Sequence, residues 1–352
     1  MSFIIEAAII SLAVCIFAFL CILLMIPVSH QLGLLDKPSG RKVHAGDVPL
    51  IGGIAIYIAI FLACSLFVPL TFEYKIYLIS SALMVFIGAI DDRYDISVRV
   101  RLVGQVIVAS LLVFGVGVYI ETLGNILHFW SLDLGLVGIP FTMICVLAAI
   151  NAFNMIDGID GLLGSLSINT FLSIAILFGM SGGTELLILP LILASALVPY
   201  LVFNLKKTSN KKIFMGDAGS MFIGLSVIWL LSFGTQKSNQ LILPVTALWI
   251  IAVPLMDMMA IVFRRIRKGQ SPFKPDRDHL HHIFMRLGFS DRQALVFITL
   301  VSITFSAIGI MGQILQVPES VSFLAFIVVF IFYNRCLTHS WIILKWLRRK
   351  EC

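Results

Sequence analysis

Charge is what this sequence has least of. Lysine, arginine, aspartate and glutamate make up 12% of its 352 residues, against 59% hydrophobic, whereas a soluble domain carries about a quarter charged residues. With a mean hydropathy of +1.03, that scarcity excludes a soluble globular fold. Cysteine is also sparse. Cys15, Cys21, Cys64 and Cys145 lie inside apolar runs, and no C-x-x-C spacing occurs, so neither a disulfide framework nor a thiolate metal site is expected. No Lys or Arg precedes the first apolar run, which carries Glu6 instead. Lacking a basic n-region and a small-residue cleavage site, it reads as an uncleaved first helix. Internal repeats, low-complexity tracts and a polar segment large enough for its own core are absent as well.

What is present is apolar length. An apolar stretch of about 20 residues crosses a bilayer as a helix, and about eleven can be placed on that basis. They fall near 4–28, 50–70, 76–90, 102–120, 134–153, 162–180, 185–203, 218–234, 242–263, 294–313 and 320–337. The expectation is an all-α, polytopic membrane protein forming one domain. Of the 25 Lys and Arg, all but Lys75 and Lys237 fall on one side of this topology, the side retained in the cytoplasm. That places the amino terminus in the periplasm, the carboxyl terminus in the cytoplasm, and loops 29–49, 91–101, 154–161, 204–217 and 264–293 on the cytoplasmic face. Anchoring accounts for the pI of about 9.0, and the tail Lys345, Arg348, Arg349 and Lys350 suits anionic lipid. Nucleic acid need not be invoked.

The acidic residues gather on that same face. Asp91, Asp92, Asp157, Asp160 and Asp217 stand at the ends of apolar runs. A carboxylate near hydrocarbon is costly, about 2.5 to 3.5 kcal/mol at a span centre, so such residues mark function. Adjacent Asp91 and Asp92 repel unless a cation or an Arg sits between them. From Asn151 through Asn154 and Asp157 to Asp160 a polar residue recurs every third position. In an unbroken helix that spacing drifts by about 60° per step, but Gly158 and Gly161 favour a turn that converges Asn154, Asp157 and Asp160. The rival account, helix capping, explains Asp160 alone.

Phe214-Met-Gly216-Asp217-Ala-Gly219-Ser220 joins the basic loop Lys206–Lys212 to the next run. Its glycines would let backbone N–H groups approach a phosphate at a helix start, and Asp217 offers a hard oxygen to Mg²⁺. In the loop 272–286, His279, His281 and His282 follow Asp276, Arg277 and Asp278. The i, i+3 spacing of His279 and His282 misses the i, i+4 pair of a zinc hydrolase, so charge-assisted bonds to a diphosphate fit them better. Asp36, Arg41, Lys42 and His44 line the first cytoplasmic loop, and Gly52-Gly53 permits close helix packing. Asp257, inside a run and about two turns before Arg264 and Arg265, reads as a structural pairing or packing residue.

Taken in order, Asp91-Asp-Arg93, Asn151-Ala-Phe-Asn-Met-Ile-Asp-Gly-Ile-Asp-Gly161, Phe214-Met-Gly-Asp-Ala-Gly-Ser220 and His279-Leu-His-His282 resemble the polyprenyl-phosphate N-acetylhexosamine-1-phosphate transferase family over residues 30–300. Asp36-Lys-Pro38, Ile87 through Val98 and Pro244 through Trp249 look most like its undecaprenyl-phosphate N-acetylglucosamine-1-phosphate transferase branch. The resemblance implies an eleven-span enzyme of the bacterial inner membrane. Such an enzyme moves GlcNAc-1-phosphate from UDP-GlcNAc to undecaprenyl phosphate on the cytoplasmic face, releases UMP, and starts O-antigen and enterobacterial common antigen assembly.

It further implies that Asp217 and Asn154 coordinate Mg²⁺ or Mn²⁺, that Asp160 lies near the uridine, and that Asp91 and Asp92 handle the lipid phosphate. Asp157, Asp160 and His279 join Asp91 and Asp92 as catalytic residues, and the expected mechanism is direct in-line attack by the lipid phosphate with an aspartate of the 91 and 92 pair as base. Arg277, His279, His281 and His282 would neutralise the diphosphate, with Asp36, Lys42, Asn151 and Arg265 as further substrate contacts. Self-association stays open. So does the choice against a phospho-MurNAc-pentapeptide transferase, although Leu280 interrupts the uninterrupted histidine run expected there. A cation-coupled transporter fits less well, because transporter sites lie near the midplane and these acids lie at span ends.

Overall fold

Apolar length becomes helix throughout the computed structural model, which describes residues 2–37, 46–206, 212–236, 240–271 and 279–338. The helices are α1 (Ser2–Leu32), α2 (Gly52–Phe67), α3 (Phe72–Tyr94), α4 (Val98–Ser110), α5 (Gly138–Ile156), α6 (Leu162–Met180), α7 (Thr184–Asn204), α8 (Gly216–Thr235), α9 (Pro244–Ile250), α10 (Ala252–Arg267), α11 (Leu280–Arg286), α12 (Asp291–Ile314) and α13 (Glu319–Thr338). A π-helical turn over Leu111–Val116 extends α4. Among the described residues the non-helical parts include a short antiparallel ribbon, β1 (Leu35–Asp36) against β2 (Val48–Pro49), and the irregular segment 117–134 with its Thr122–Asp133 bridge. The protein is an all-α, polytopic membrane protein.

Nine of the described helices are long and apolar enough to span a bilayer. The two remaining apolar runs differ from the simple expectation. The run near 50–70 is α2, whose 16 residues reach only about 24 Å. The run near 242–263 breaks at Ile251 into α9 and α10, which diverge by 83°. Pro254 explains the break, because it has no N–H to give the Ile250 carbonyl and its ring crowds the preceding turn.

Helix α8 is the axis of the bundle. In its apolar window 94% of residues are buried, against 11% in α13, which lies at the rim. It packs against α2, α3, α5 and α6, and small residues set how closely. A Cβ on Gly53 of α2 would lie 2.1 Å from the Gly219 backbone N, and one on Gly88 of α3 would lie 2.3 Å from Ala218 Cα. Likewise, a Cβ on Gly224 would lie 2.6 Å from Ile150 Cα in α5. Lipid tails give no hydrophobic preference between helices, so this backbone-to-backbone approach supplies much of the association. It also gathers the ends of α2, α3 and α5 around the first turn of α8.

Candidate active site

The first turn of α8 is fixed from two directions. On one side the chain leading into α2 runs beside it. Phe214 N–H donates to Pro49 O at 2.9 Å, Gly52 N–H to Phe214 O at 2.9 Å and Gly53 N–H to Met215 O at 3.0 Å. On the other side, Asp92 at the end of α3 accepts from Asp217 N–H at 2.7 Å and from Ala218 N–H at 3.2 Å. Gly216 makes the second contact achievable. Its φ is +72°, and a Cβ there would meet Asp92 Oδ2 at 2.4 Å. A carboxylate at a helix N-terminus satisfies orphan N–H groups and the positive end of the dipole. The expectation that these amides approach a substrate phosphate is therefore corrected: Asp92 already occupies them.

Asp91 points elsewhere. Its Oδ2 accepts from Arg101 Nη1 at 2.8 Å, and the same nitrogen lies 3.7 Å from Asp217 Oδ2. Helices α3 and α4 form a tight hairpin through Asp95, whose φ of 49° turns the chain, so positions 91 and 101 come to face each other. Asp217 is a third exposed on its side chain. It also meets α5, where Asn154 Nδ2 donates to Asp217 Oδ1 at 2.5 Å and to Ser220 Oγ at 2.9 Å.

Helix α5 ends at Ile156 and α6 begins at Leu162, with Gly161 at φ +79° between them. The chain turns here, as its glycines predict. Asn204 of α7 secures it, accepting from Gly161 N–H at 2.6 Å and donating to Ile213 O at 2.9 Å. Asp160 Oδ2 pairs with Lys212 Nζ at 2.5 Å. Asp157 is open to solvent on one side. Desolvation, then the charges of Asp217 and Asp160, raise its carboxyl above the usual carboxylate range.

The histidine segment closes this turn from outside. A Cβ on Gly158 would lie 2.1 Å from His281 Cε1, so that imidazole rests on the glycine. His281 is buried, and desolvation, then His282 and His279, pull it down to about 3 against a smaller opposing effect of Asp257. Burial on Gly158 therefore favours its neutral form. The His279 and His281 rings are 5.7 Å apart and nearly parallel, and His282 lies 4.2 Å from His281.

The sequence matches the model of glycosyl transferase family 4 over residues 74–235, the span from α3 to α8 that carries all five aspartates. It is 44% identical over 328 residues to the undecaprenyl-phosphate alpha-N-acetylglucosaminyl 1-phosphate transferase of Escherichia coli (strain K12), covering 92% of this chain and 88% of that one. The transferase of the same description from Yersinia pestis is 43% identical over 327 residues, at 92% and 89% coverage. That from Haemophilus influenzae is 44% identical over 339 residues, at 95% of each chain. The chain belongs to glycosyl transferase family 4.

Within this transferase, Asp91, Asp92, Asn154, Asp157, Asp160 and Asp217 come together as one site, with His279, His281 and His282 beside it. Asn151 stands one turn back, where its amide donates to Gln105 Oε1 at 2.8 Å and to Leu147 O at 2.7 Å. Arg265 is buried in the last turn of α10, and Asp36 sits on β1 opposite Val48. Lys42 and Arg277 lie outside the described residues. Asp257 pairs with His279. Arg101 and Lys212 are the site residues that sequence reasoning passed over, having counted them only as cytoplasmic anchors. For Arg101 a signal existed: 91 and 101 are equidistant from Ile96 in a helical hairpin.

A divalent cation fits the donor set at Asp217. Asp217 and Ser220 offer hard oxygens, and Asn154 turned over would present its carbonyl in place of its NH₂, the orientation that a lone carboxylate selects. Among the described residues no group of three or more His, Cys, Asp or Glu converges to hold a metal alone.

Proposed function

We propose that this transferase moves N-acetylglucosamine 1-phosphate from UDP-N-acetylglucosamine to undecaprenyl phosphate, releasing UMP, at the cytoplasmic face of the bacterial inner membrane. The supporting observation is the convergence of Asp91, Asp92, Asn154, Asp157, Asp160 and Asp217 around the first turn of α8, at one end of the apolar spans. That position lets a soluble nucleotide sugar and a phosphate anchored at the bilayer surface reach one place. The distribution of Lys and Arg supports the cytoplasmic side.

Asp217 and Asn154 would hold Mg²⁺ or Mn²⁺, which when bound supplies positive charge to the diphosphate and to the leaving UMP. The protein's own groups do the positioning. Asp92 holds the α8 turn that aims Asp217. Arg101, steadied by Asp91, offers its guanidinium to the acceptor phosphate. Lys212 faces the donor from the Asp160 side, and His279 and His282 flank the His281 ring that rests on the α5–α6 turn. Phosphoryl transfer requires little covalent chemistry from the protein, so placement and charge account for most of the catalysis. Direct in-line attack by the acceptor phosphate needs no enzyme-bound intermediate.

The test is UMP release from UDP-N-acetylglucosamine by purified protein, with and without undecaprenyl phosphate and Mg²⁺. Release is expected only with all three present. Transfer from UDP-MurNAc-pentapeptide alone would replace this reading with that of the peptidoglycan enzyme. A phosphorylated, chemically competent enzyme trapped without acceptor would sink direct attack.

A further inference from the structure

Asp257 is the buried carboxylate that the reaction as described does not use. It lies in α10, 1% exposed, away from the aspartates around α8. A carboxylate so buried needs donors, and it has three. His279 Nδ1 lies 3.1 Å from Oδ2, Leu280 N–H donates to Oδ1 at 3.0 Å, and Tyr333 OH donates to Oδ1 at 3.0 Å. The partners come from the start of α11 and from α13, so one side chain of α10 ties both to it.

The pairing has a chemical consequence for His279. A carboxylate only accepts hydrogen bonds, so the Nδ1 facing Asp257 must carry the proton. The imidazole is thereby oriented with Nε2 as its working nitrogen. His279 is the N-cap residue of α11, and its own side chain caps nothing. Asp257 takes over that capping through Leu280 N–H. From His279 the contact continues through the stacked His281 ring to Gly158, between Asp157 and Asp160.

We propose that Asp257 is a positioning residue for the transfer reaction, fixing the tautomer and aim of His279 so that Nε2 serves the leaving phosphate. The kinetic part of this inference rests on the donor and acceptor proposed above; the tautomer part does not. Asp257→Asn is the informative change. Leu280 N–H cannot reverse its polarity, so the asparagine oxygen stays with it and the NH₂ faces His279. The imidazole then turns Nδ1 into an acceptor and moves its proton to Nε2.

Two measurements on the full chain in lipid nanodiscs test this. The first is ¹⁵N NMR of histidine-labelled protein at pH 8, with the His279 signal assigned by its loss in His279→Asn. The Nδ1–H tautomer is expected in the wild type and the Nε2–H tautomer in Asp257→Asn. An Nε2–H tautomer already in the wild type overturns the pairing, whatever the substrates prove to be. The second is steady-state UMP release. Asp257→Asn should lower kcat on the order of 10²-fold with KM for UDP-N-acetylglucosamine within twofold, and Asp257→Asn/His279→Asn should be no slower than His279→Asn alone. Multiplicative losses in the double variant, or a loss in Asp257→Asn with none in His279→Asn, would reduce Asp257 to a packing role. Wild type inactive on this donor but showing the expected tautomers would refute the substrate reading and keep the pairing.

Discussion

Gly88→Ala tests whether the close approach of α3 to α8 sets the geometry of the site. An added Cβ would lie 2.3 Å from Ala218 Cα and 2.7 Å from the Asp217 carbonyl carbon. Both are backbone atoms, so no side-chain rotation relieves the clash. Reaching even 3.0 Å, below which real Cβ contacts essentially never occur, requires the helices to part by about 0.7 Å. The same separation strains the 2.7 and 3.2 Å bonds from the α8 amides to Asp92 and draws Asp91 and Arg101 away from Asp217. Overpacking of this kind costs about 1 to 3 kcal/mol, and a misplacement near 1 Å costs about 10²-fold in rate. The expected result is a turnover reduced roughly 10- to 100-fold, equivalent to about 1.4 to 2.7 kcal/mol of barrier, together with a lower melting temperature. The assay is UMP release at saturating undecaprenyl phosphate and Mg²⁺, beside thermal unfolding followed by tryptophan fluorescence. Gly312→Ala is the control, because a Cβ there meets nothing within 4 Å. Gly88→Ala with turnover and melting temperature matching Gly312→Ala would refute the claim that this crossing aims the site.

Three further outcomes are expected. Asp217→Ala should reduce lipid-dependent UMP release by at least about 10²-fold at ordinary Mg²⁺; retained release would remove Asp217 from the metal site. Arg101→Gln strips a cation from between Asp91 and Asp217, and a charge pair near a protein surface at 4 Å is worth up to about 4 kcal/mol. The Mg²⁺ concentration for half-maximal rate should therefore fall several-fold while turnover drops, and an unchanged Mg²⁺ dependence would contradict the shared ion pair. His281, held down to about 3 when folded and near 6.5 when unfolded, lets the unfolded chain bind the extra proton between those values. Stability is thus lost as pH falls from 6.5 toward 3, by about 2 kcal/mol at pH 5 from this group. His281→Gln should flatten the fall in melting temperature between pH 6.5 and 5, and an unaltered slope would show that the ring is already charged in the fold.

The helical class was legible because eleven apolar runs left few alternatives, and the turn after α5 was legible because Gly158 and Gly161 interrupt a polar i, i+3 series. The break at Ile251 was readable in principle from Pro254, but hydropathy averages over such a residue and reports one continuous run. At the site, sequence order identified which aspartates matter and left open what each one touches. Asp91 and Asp92 are adjacent in the chain, yet one faces Arg101 and the other caps α8. That division depends on how α3 crosses α8, which Gly88 sets through its contact with Ala218 and Asp217 of a distant segment. Asn151 shows the same limit. Its place in the polar series matched Asn154, but the helical drift carries it to Gln105, while Asn154 reaches Asp217.

The occupied N-terminus of α8 bears on how the phosphates can be held. Helix starts commonly bind anions through their free amides, and here the glycine-flanked turn leading into α8 has the composition for it. Asp92 fills that place, so the start of α8 contributes no amide pocket for a diphosphate. Around it stand Asp91, Asp157, Asp160 and Asp217, with Arg101 and Lys212 as the cations paired among them. Two further anionic substrates cannot enter such a field without added positive charge. The donors that meet at Asp217, its carboxylate with Asn154 and Ser220, leave a divalent cation short of a full oxygen shell. The consistent arrangement is one in which the donor's phosphates complete the coordination at Asp217, so that metal and donor bind together. Mg²⁺ affinity measured by titration should accordingly rise when UDP is present, and an equal affinity with and without UDP would show that the protein holds the ion by itself.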